Sequence, residues 1–598
     1  MTGSWLVSIF FFVSFIALFL SIFVIKKTDK EVNGIVWCVL NFIITIAVNA
    51  VMAGLLNLIR VPINILSIGI VDLIFSIVLW YLILKKKIYQ KYIWKTHDII
   101  IVLGILLVVV GSSLYRYGLK SLLPNFQAVD APRHLIMAQD IINTQRINTG
   151  MFFADLYGAL FIEMLSPLLA NYKIFVISEI VNLFIAGAIF YAFISEICRS
   201  NKSYILAGIV SLLYLLGYPL HNALFGFVYW GMGVTLINAM LIMYREFARK
   251  DINRIIVCIY LMMLNFGLFT SYVLFIPPVF LAGFIYIVFV KYKEEKLFTL
   301  KTLIELSIIF LPAVIIGLLY TFSLVVNIGI NNISESNSGG SNGGTTKSVP
   351  GISLEGGIYK DIYRDYIFLL PFALYEFIKE LKKRKIKMNF VLFATMSVYM
   401  CVLFLGGMKG LVSSYYYCKN NYIMWLILFI AAFAGMIDVL EKNKEILYTY
   451  LFTWGMICVI FLSRVEIKIA ECNENYDITK AGNYLNIYDY NKSGFFAHYF
   501  CEDYLELFNW MKNNVEKKGK KGALAVSTYY YEYWYQALVN RNFEVYNGDF
   551  DLYMKWCENT SDYVCVVYDD FYYSHRQHFD SLKRVYETPY GFVANIEK

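Results

Sequence analysis

The sequence predicts an α-helical protein that crosses a membrane many times and ends in a small α/β domain. Hydrophobic residues make up 59% of the 598 residues and charged residues only 16%. This composition excludes a soluble globule of such length. The apolar residues occur in runs of roughly 20, the length that an α-helix needs to cross a bilayer. The segment 465–598 departs from that pattern, since short β-like runs alternate there with helix-like runs.

About fourteen apolar runs are predicted to span the membrane. They lie near residues 5–25, 35–59, 62–84, 98–115, 172–195, 203–220, 222–244, 254–272, 274–290, 302–326, 363–380, 388–407, 421–440 and 446–464. No basic residue precedes the first run, whereas three lysines follow it at 26–30, so the N-terminus is expected outside. Most of the remaining basic turns then fall on the cytoplasmic side, as the positive-inside bias requires.

This topology divides the chain into three parts and places its long polar segments outside the cytoplasmic membrane. The expected parts are an N-terminal three-helix extension (1–97), a transmembrane module (98–464) with outer loops at 116–171, 327–362 and 408–420, and an extracytoplasmic α/β domain (465–598). Long outer segments opposed by short basic turns indicate that the protein works on its outer face.

The outer segment 116–171 contains the most suggestive chemistry, in Val129-Asp130-Ala131-Pro132-Arg133-His134. Pro132 after Asp130 is a helix-start signal, and the four-residue spacing places the Asp130 carboxylate and the His134 imidazole on one helix face. Arg133 lies to the side of that face. An N-cap is an equally good explanation of Asp130, because Asp is a preferred capping residue.

The second half of that segment, 151–170, predicts an amphipathic helix that lies along the membrane rather than spanning it. Asp155 and Glu163 share its polar stripe. A wetted helix face explains both acids, whereas a functional site would use Asp155 in catalysis and Glu163 in substrate binding.

Further candidates for substrate contacts lie in the later outer segments. Residues 331–344 have a flexible, Ser- and Gly-rich composition and lead to Asp361 and Arg364. The outer loop 408–420 departs from the positive-inside trend at Lys409 and Lys419, with Tyr416 between them. Ammonium and hydroxyl groups together can bind a phosphate at the membrane surface. Alternatively, these lysines only extend their charged ends from the apolar region to water. Weaker candidates of the same kind are His221 and Arg464.

The sequence lacks the motifs of nucleotide hydrolases, zinc proteases and thioredoxin-like proteins. The sequence has no phosphate-cradling Gly-x-x-x-x-Gly-Lys-Ser/Thr, no His-Glu-x-x-His and no Cys-x-x-Cys. No metal site is predicted, and whether Mg²⁺ or Mn²⁺ takes part stays open. The net charge of +8 does not indicate nucleic acid, because the basic residues lie in short turns. Cys472, Cys501, Cys557 and Cys565 lie in the tail, where sequence does not fix their pairing.

The arrangement of an outer loop with an early Asp130, a membrane-lying helix at 151–170, later cationic outer loops and an outer tail resembles the GT-C class of membrane glycosyltransferases. The resemblance covers most of 98–598 and is architectural. It implies transfer of a sugar from a polyprenyl-phosphate carrier to a glycan, lipid or protein acceptor on the outer face. The three spans before the module, and the absence of paired acids after Asp130, depart from the class.

On this resemblance, an inverting glycosyltransferase is expected to use Asp130 as base and His134 to orient it or bind the acceptor, while Lys409, Lys419 or Arg464 holds the carrier phosphate. The alternatives are a flippase or transporter, with Asp72, Glu179 and Glu305 as the intramembrane acids to check, or a polymerase or ligase of lipid-linked glycans. A composition rich in Lys, Ile, Asn and Tyr favours a bacterial plasma membrane. The sugar, the acceptor and the oligomeric state stay open.

Overall fold

The computed structural model describes residues 5–117, 122, 130–295, 299–338, 366–409, 414–464, 487–488, 491, 502–527, 529–543 and 550–596. The membrane part is a bundle of long helices in which α-helical segments follow one another through short turns. The first half of its helices are α1 (Trp5–Val24), α2 (Gly34–Leu58), α3 (Ile65–Lys86), α4 (Thr96–Tyr117), α5 (Asp130–Thr144), α6 (Phe153–Leu165), α7 (Asn171–Ser195), α8 (Asn201–Leu216) and α9 (Tyr218–Phe225). Two-residue strands β1 (Val32–Asn33) and β2 (Tyr92–Ile93) pair in parallel between them.

The second half of the bundle continues the same pattern. Its helices are α10 (Val228–Arg249), α11 (Arg254–Ser271), α12 (Ile276–Glu295), α13 (Leu300–Ser338), α14 (Leu370–Lys382), α15 (Met388–Met408), α16 (Ser414–Lys419), α17 (Asn421–Lys442) and α18 (Lys444–Arg464). Within the described part of the chain, eleven helical segments are long and apolar enough to cross a membrane. The predicted fold class, a polytopic helical membrane protein, is therefore confirmed.

Three predicted spans are not among those eleven. Two of them are helices of crossing length, α10 with 22 residues and α18 with 21. The third, α14, has only 13 residues. Its segment nevertheless runs beside most of α17, because the Tyr366 hydroxyl contacts Asn421 at the start of that helix and Lys379 lies 2.6 Å from Asp438 near its end.

The two ends of the bundle differ in chemistry. At one end, called here the far end, buried carboxylates pair with basic residues of the predicted cytoplasmic turns. Lys387 Nζ lies 2.7 Å from Glu376 and 3.0 Å from Glu380, and Arg249 lies 3.2 Å from Glu196. The opposite end, called here the tail end, carries α5 and contacts the C-terminal domain. The charged residues of the predicted cytoplasmic turns therefore lie at the far end of the bundle, away from the C-terminal domain.

The N-terminal extension packs into the bundle rather than beside it. Helix α1 packs on α3 and α6, and α2 packs on α11, where the Tyr260 hydroxyl donates to Asn41 Oδ1 at 2.8 Å. Asn33 caps α2 and donates to Asp98 of α4 at 2.6 Å. Buried polar contacts therefore join the three extra helices to the rest of the membrane part.

Helix α6 corrects one expectation from the sequence. Its 13 residues are about 20 Å long, too short to cross a bilayer, as expected. The wetted helix face that the sequence offers as one explanation of Asp155 is not found. Both its apolar face, with Phe153, Leu156 and Leu160, and its polar residue Asp155 are buried among α1, α2, α7, α10 and α11.

Helix α13 corrects a second expectation. The predicted span ends near residue 326 and the sequence after 331 was expected to form flexible coil, but the helix continues to Ser338. Between residues 326 and 338 the sequence contains one glycine, Gly329, and no proline. Two glycines, Gly339 and Gly340, follow Ser338 in the sequence. Polar composition alone does not stop a helix, whereas paired glycines weaken it strongly.

The tail is an α/β domain, as predicted. Its elements are α19 (Glu502–Asn514), β3 (Gly522–Ala525), α20 (Tyr529–Leu538), α21 (Phe550–Thr560), β4 (Tyr563–Val567), α22 (Asp570–Ser574), α23 (Arg576–Asp580), β5 (Lys583–Thr588) and β6 (Gly591–Asn595). The sheet order is β3-β4-β6-β5, with β3 and β4 parallel and the other pairs antiparallel. Cys557 and Cys565 are buried free thiols, and Cys472 and Cys501 lie outside the described residues.

Candidate active site at the tail end of the bundle

Helix α5 presents the predicted acid and imidazole at the tail end. Asp130 begins the helix, as the Asp-x-Pro signal predicts, and the buried residues His134, Ala138 and Ile141 form the face turned toward the bundle. The first turn packs tightly against the end of α9 at Gly226, where a Cβ atom would stand 2.5 Å from that of Ala131. Glycine with φ +71° therefore allows the chain to approach the start of α5.

His134 and Asp155 form a buried pair between α5 and α6. His134 Nδ1 lies 2.6 Å from Asp155 Oδ1, and the two side chains are 8% and 2% exposed. A carboxylate that accepts from Nδ1–H assigns the proton to that nitrogen and leaves Nε2 able to accept a hydrogen bond. The ring of Tyr229 packs against the imidazole at a centroid distance of 4.7 Å. The pair thus fixes both the orientation and the tautomer of His134.

The surroundings of His134 favour its charged form. Burial lowers the pKa of the imidazole, but the charge of Asp155 and its hydrogen bond, with further contributions from Asp130 and Glu179, raise it above the ordinary value. Three carboxylates from three different helices therefore act on one imidazole.

Lys419 enters this site from the other side of Tyr229. It is the last residue of α16, is 5% exposed, and its Nζ lies 4.1 Å from the ring centre of Trp230, 4.9 Å from that of Tyr272 and 5.7 Å from that of Tyr229. Aromatic rings stabilise a cation through their negative faces. Asp130 also interacts electrostatically with Lys419. The predicted acid, imidazole and lysine therefore meet in one place.

The structure adds residues that were not selected from the sequence as site residues. Glu179 of α7 is buried, receives a 3.4 Å hydrogen bond from Asn182 and acts electrostatically on His134 and Tyr157. It lines a narrow pocket with Asn182 and Asn222. An acidic residue inside a predicted span is a signal for function. On the sequence alone, Glu179 is a candidate only for the transporter alternative. The Tyr229 and Trp230 contacts have no such signal, because apolar helices contain many aromatic residues.

The other predicted substrate contacts have different surroundings. Arg133 donates to Tyr533 of the tail at 2.8 Å, and His221 Nδ1 lies 3.1 Å from Asn491 Oδ1. The backbone oxygen of Tyr416 accepts from Asn420 at 2.7 Å. Lys409 is exposed at the end of α15, and Arg464 ends α18. Asp361 and Arg364 lie outside the described residues.

Glu163 is engaged with the backbone of another helix. Its Oε2 accepts from the Ile65 N–H at 2.8 Å, which satisfies a backbone donor at the start of α3 next to the Asn64 capping box. Burial raises the pKa of Glu163 to about 7, against a smaller lowering by that hydrogen bond. This acid therefore changes charge near neutral pH.

Glu163→Gln is expected to stabilise the protein at pH 8 and to have no effect at pH 5. The folded-state pKa lies above that of an exposed glutamate, so Glu163 reduces stability progressively as the pH rises from about 4.5 to about 7. Glutamine keeps an acceptor for Ile65 without a charge, and the gain is of the order of 1–3 kcal/mol. Thermal unfolding midpoints at the two pH values measure it. An equal shift at both values would contradict the prediction, and Glu163→Ala, which loses the acceptor, should destabilise at both.

The described side chains of this site were compared with the arrangements that hold metal ions in proteins. Among the described residues, no group of three or more His, Cys, Asp or Glu side chains is placed to hold a metal ion, and His134 and Asp155 already bond to each other. The site as built thus consists of one imidazole, carboxylates, a caged ammonium and aromatic rings.

Comparisons with known proteins find a likeness among the solved structures. No family model matches the chain, and no curated protein matches it. Among solved structures, the archaeal oligosaccharyltransferase AglB from Archaeoglobus fulgidus, in complex with an inhibitory peptide and a dolichol-phosphate, is similar at 12% identity. The match covers 78% of this chain and 69% of that chain with a TM-score of 0.38. At this similarity, function has to follow from the side chains of the site.

Proposed function

We propose that this protein is a membrane glycosyltransferase that moves a sugar from a polyprenyl-phosphate carrier to an acceptor hydroxyl at the outer face of the membrane. The observation that carries the proposal is the meeting of Asp130, His134 and the caged Lys419 at the tail end of the bundle. A lipid phosphate is an anion that a lysine side chain binds through charge-assisted hydrogen bonds.

The proposed reaction is a single displacement with inversion at the anomeric carbon. The acceptor oxygen forms a bond to that carbon as its O–H bond breaks, and Asp130 takes the proton. The bond from the anomeric carbon to the phosphate oxygen breaks, and its electron pair leaves with the lipid phosphate. Lys419 stabilises the charge that develops on this oxygen. No cofactor is needed to balance these bonds and charges.

His134 and Asp155 have supporting roles in this proposal. With Nδ1–H directed to Asp155, the neutral imidazole presents Nε2 as a hydrogen-bond acceptor to a neighbouring hydroxyl of the acceptor molecule. This contact orients the acceptor and leaves the attacking hydroxyl to donate its proton to Asp130. Lys409 and Arg464, which end helices α15 and α18, are proposed as secondary contacts to the carrier phosphate. The contribution of Lys409 is expected to be smaller than that of Lys419, because the exposed Lys409 ammonium is already solvated.

The transporter alternative has less support. A transport path is expected to bring intramembrane acids together along one route. Here Asp72 receives a 3.3 Å hydrogen bond from Asn49, Glu305 lies 3.0 Å from Lys291, and Glu179 belongs to the site around His134. These three acids are thus bound into separate contacts. A polymerase or ligase would share the same chemistry with a lipid-linked acceptor.

Purified protein in liposomes tests the proposal directly. A polyprenyl-phosphate-linked sugar and candidate glycan, lipid and peptide acceptors are supplied, and both the glycosylated acceptor and the released polyprenyl phosphate are quantified. Equal amounts of the two products, with the anomeric configuration inverted, support the proposal. Movement of the intact lipid-linked sugar between leaflets without its cleavage would contradict it and favour the transporter.

Lys419→Met is expected to raise the KM for the lipid donor about ten- to hundredfold. Methionine keeps the packing against the aromatic rings but removes the charge, and a charge-assisted hydrogen bond contributes about 1.5–3 kcal/mol. Donor titrations at saturating acceptor measure the effect, with exposed Lys409→Met as the comparison. An unchanged donor KM in Lys419→Met would show that this lysine does not hold the carrier.

A further inference from the structure

Helix α5 carries a second set of polar side chains to one side of the face that holds the site. Arg133 and Asp140 are seven residues apart, two turns of helix, and so share one face. Arg133 Nη2 donates to the Tyr533 hydroxyl at 2.8 Å, with its guanidinium 4.6 Å from the centre of that ring. Asp140 forms an ion pair with Arg541. Both partners belong to the tail domain.

The neighbouring face of α5 holds the site. His134, Ala138 and Ile141 are buried there, and His134 bonds to Asp155 of α6. The helix has 15 residues, and an isolated helix of that length is only marginally stable in water. The position of Asp130 and His134 therefore depends on what packs against α5 from both sides.

The tail itself is anchored to the bundle at a second point. Asn491, 2% exposed, donates through Nδ2 to the backbone oxygens of Leu216 at 2.8 Å and Gly217 at 2.6 Å. Tyr488 donates to the Leu213 oxygen at 2.9 Å. These contacts satisfy carbonyls at the break between α8 and α9. The tail is thus attached on two sides of the site, to α5 and to the α8–α9 break.

We propose that the C-terminal domain positions α5, and that Arg133, Asp140, Tyr533 and Arg541 are positioning residues for Asp130 and His134. The inference rests on the proposed function for the roles of those two residues. A shift of α5 changes the distance from Asp130 to the acceptor hydroxyl, and small misplacements reduce rates strongly. Lys419 lies on α16, so donor binding does not depend on these tail contacts.

Charge reversal across the pair tests the proposal in the full-length protein. Arg541→Glu places a second negative charge beside Asp140, and Asp140→Arg places two positive charges together. Each single variant is expected to lower kcat about three- to tenfold with an unchanged donor KM. The double variant, which restores an ion pair of opposite polarity, should recover most of the loss. The control is Arg576→Glu, which disrupts the exposed Arg576–Asp580 pair within the tail and should leave kcat unchanged.

A second measurement does not require activity. Hydrogen exchange of the α5 amides, 130–144, should be faster in each single variant than in the wild type and return toward it in the double variant. Exchange and kcat that are both unaffected by the single variants would overturn the proposal. A protein that shows the exchange pattern but transfers no sugar would refute the proposed function and leave the docking of the tail on α5 intact. A fall in donor affinity instead of kcat would also overturn it.

Discussion

Asp130→Asn is expected to lower the rate of sugar transfer by at least about 10²-fold while folding and donor binding are largely kept. Asparagine is as good an N-cap as aspartate, so a capping role at the start of α5 survives the change. The side chain loses its basicity, however, and a positioned acid or base is typically worth about 10²–10⁴-fold in rate. Donor binding persists because Lys419 supplies the phosphate contact.

Single-turnover transfer rates and separate donor-binding measurements distinguish the two roles of Asp130. The matched comparison is Asp130→Ala, which removes both the base and the cap and should additionally cost about 1 kcal/mol of stability. Near-wild-type transfer by Asp130→Asn would reduce Asp130 to a cap. His134 Nε2, oriented by Asp155, would then be the next candidate for the base.

Asp155→Asn is expected to slow transfer about 10²–10³-fold and to change its pH dependence. Replacement of an aspartate that orients a catalytic histidine leaves the geometry intact but allows the wrong tautomer. Asp155 is also the main source of the raised pKa of His134. In the wild type, the rate should fall as the pH drops through a value above the ordinary pKa of histidine, because only the neutral imidazole accepts a hydrogen bond from the neighbouring hydroxyl that orients the acceptor. In Asp155→Asn, this fall should move to lower pH.

Rate profiles between pH 5 and 9 measure the shift, with donor and acceptor saturating at every point. Glu179→Gln provides the comparison, since Glu179 contributes less to the pKa of His134 than Asp155 does. If the fall in rate at low pH occurred at the same pH in Asp155→Asn as in the wild type, the protonation of His134 would not control the rate-limiting step.

The sequence predicts most of the helices and one face of the site. Long apolar runs and basic turns locate the spans, and the spacing of Asp130 and His134 places both at one face of α5. Lys409 and Lys419 both depart from the positive-inside trend, and Lys419 interacts electrostatically with Asp130. These predictions rest on the spacing of residues within one or two helical turns and on the distribution of charge between successive loops.

The contacts that complete the site are long-range and are not visible in the sequence. The aromatic cage of Lys419 comes from α10 and the start of the turn after α11, and these residues resemble other apolar helix residues. The sequence leaves open whether Asp155 lies on a wetted face or in a functional site, because a short amphipathic helix has the same pattern whether water or other helices cover it. Strand β5 lacks the apolar run that identifies a strand in a sequence. Its residues, Lys-Arg-Val-Tyr-Glu-Thr, form a largely exposed strand at the edge of the sheet.

The break between α8 and α9 has a consequence for how the protein matures. Trp425 Nε1 donates to the Tyr214 oxygen at 3.2 Å, and Asn491 donates to the oxygens of Leu216 and Gly217. Asn491 leaves the ribosome 274 residues after Gly217. The broken span is therefore inserted long before the donor for its last carbonyls exists. This membrane region is completed only after the chain has been synthesised as far as Asn491 and that residue has reached the α8–α9 break.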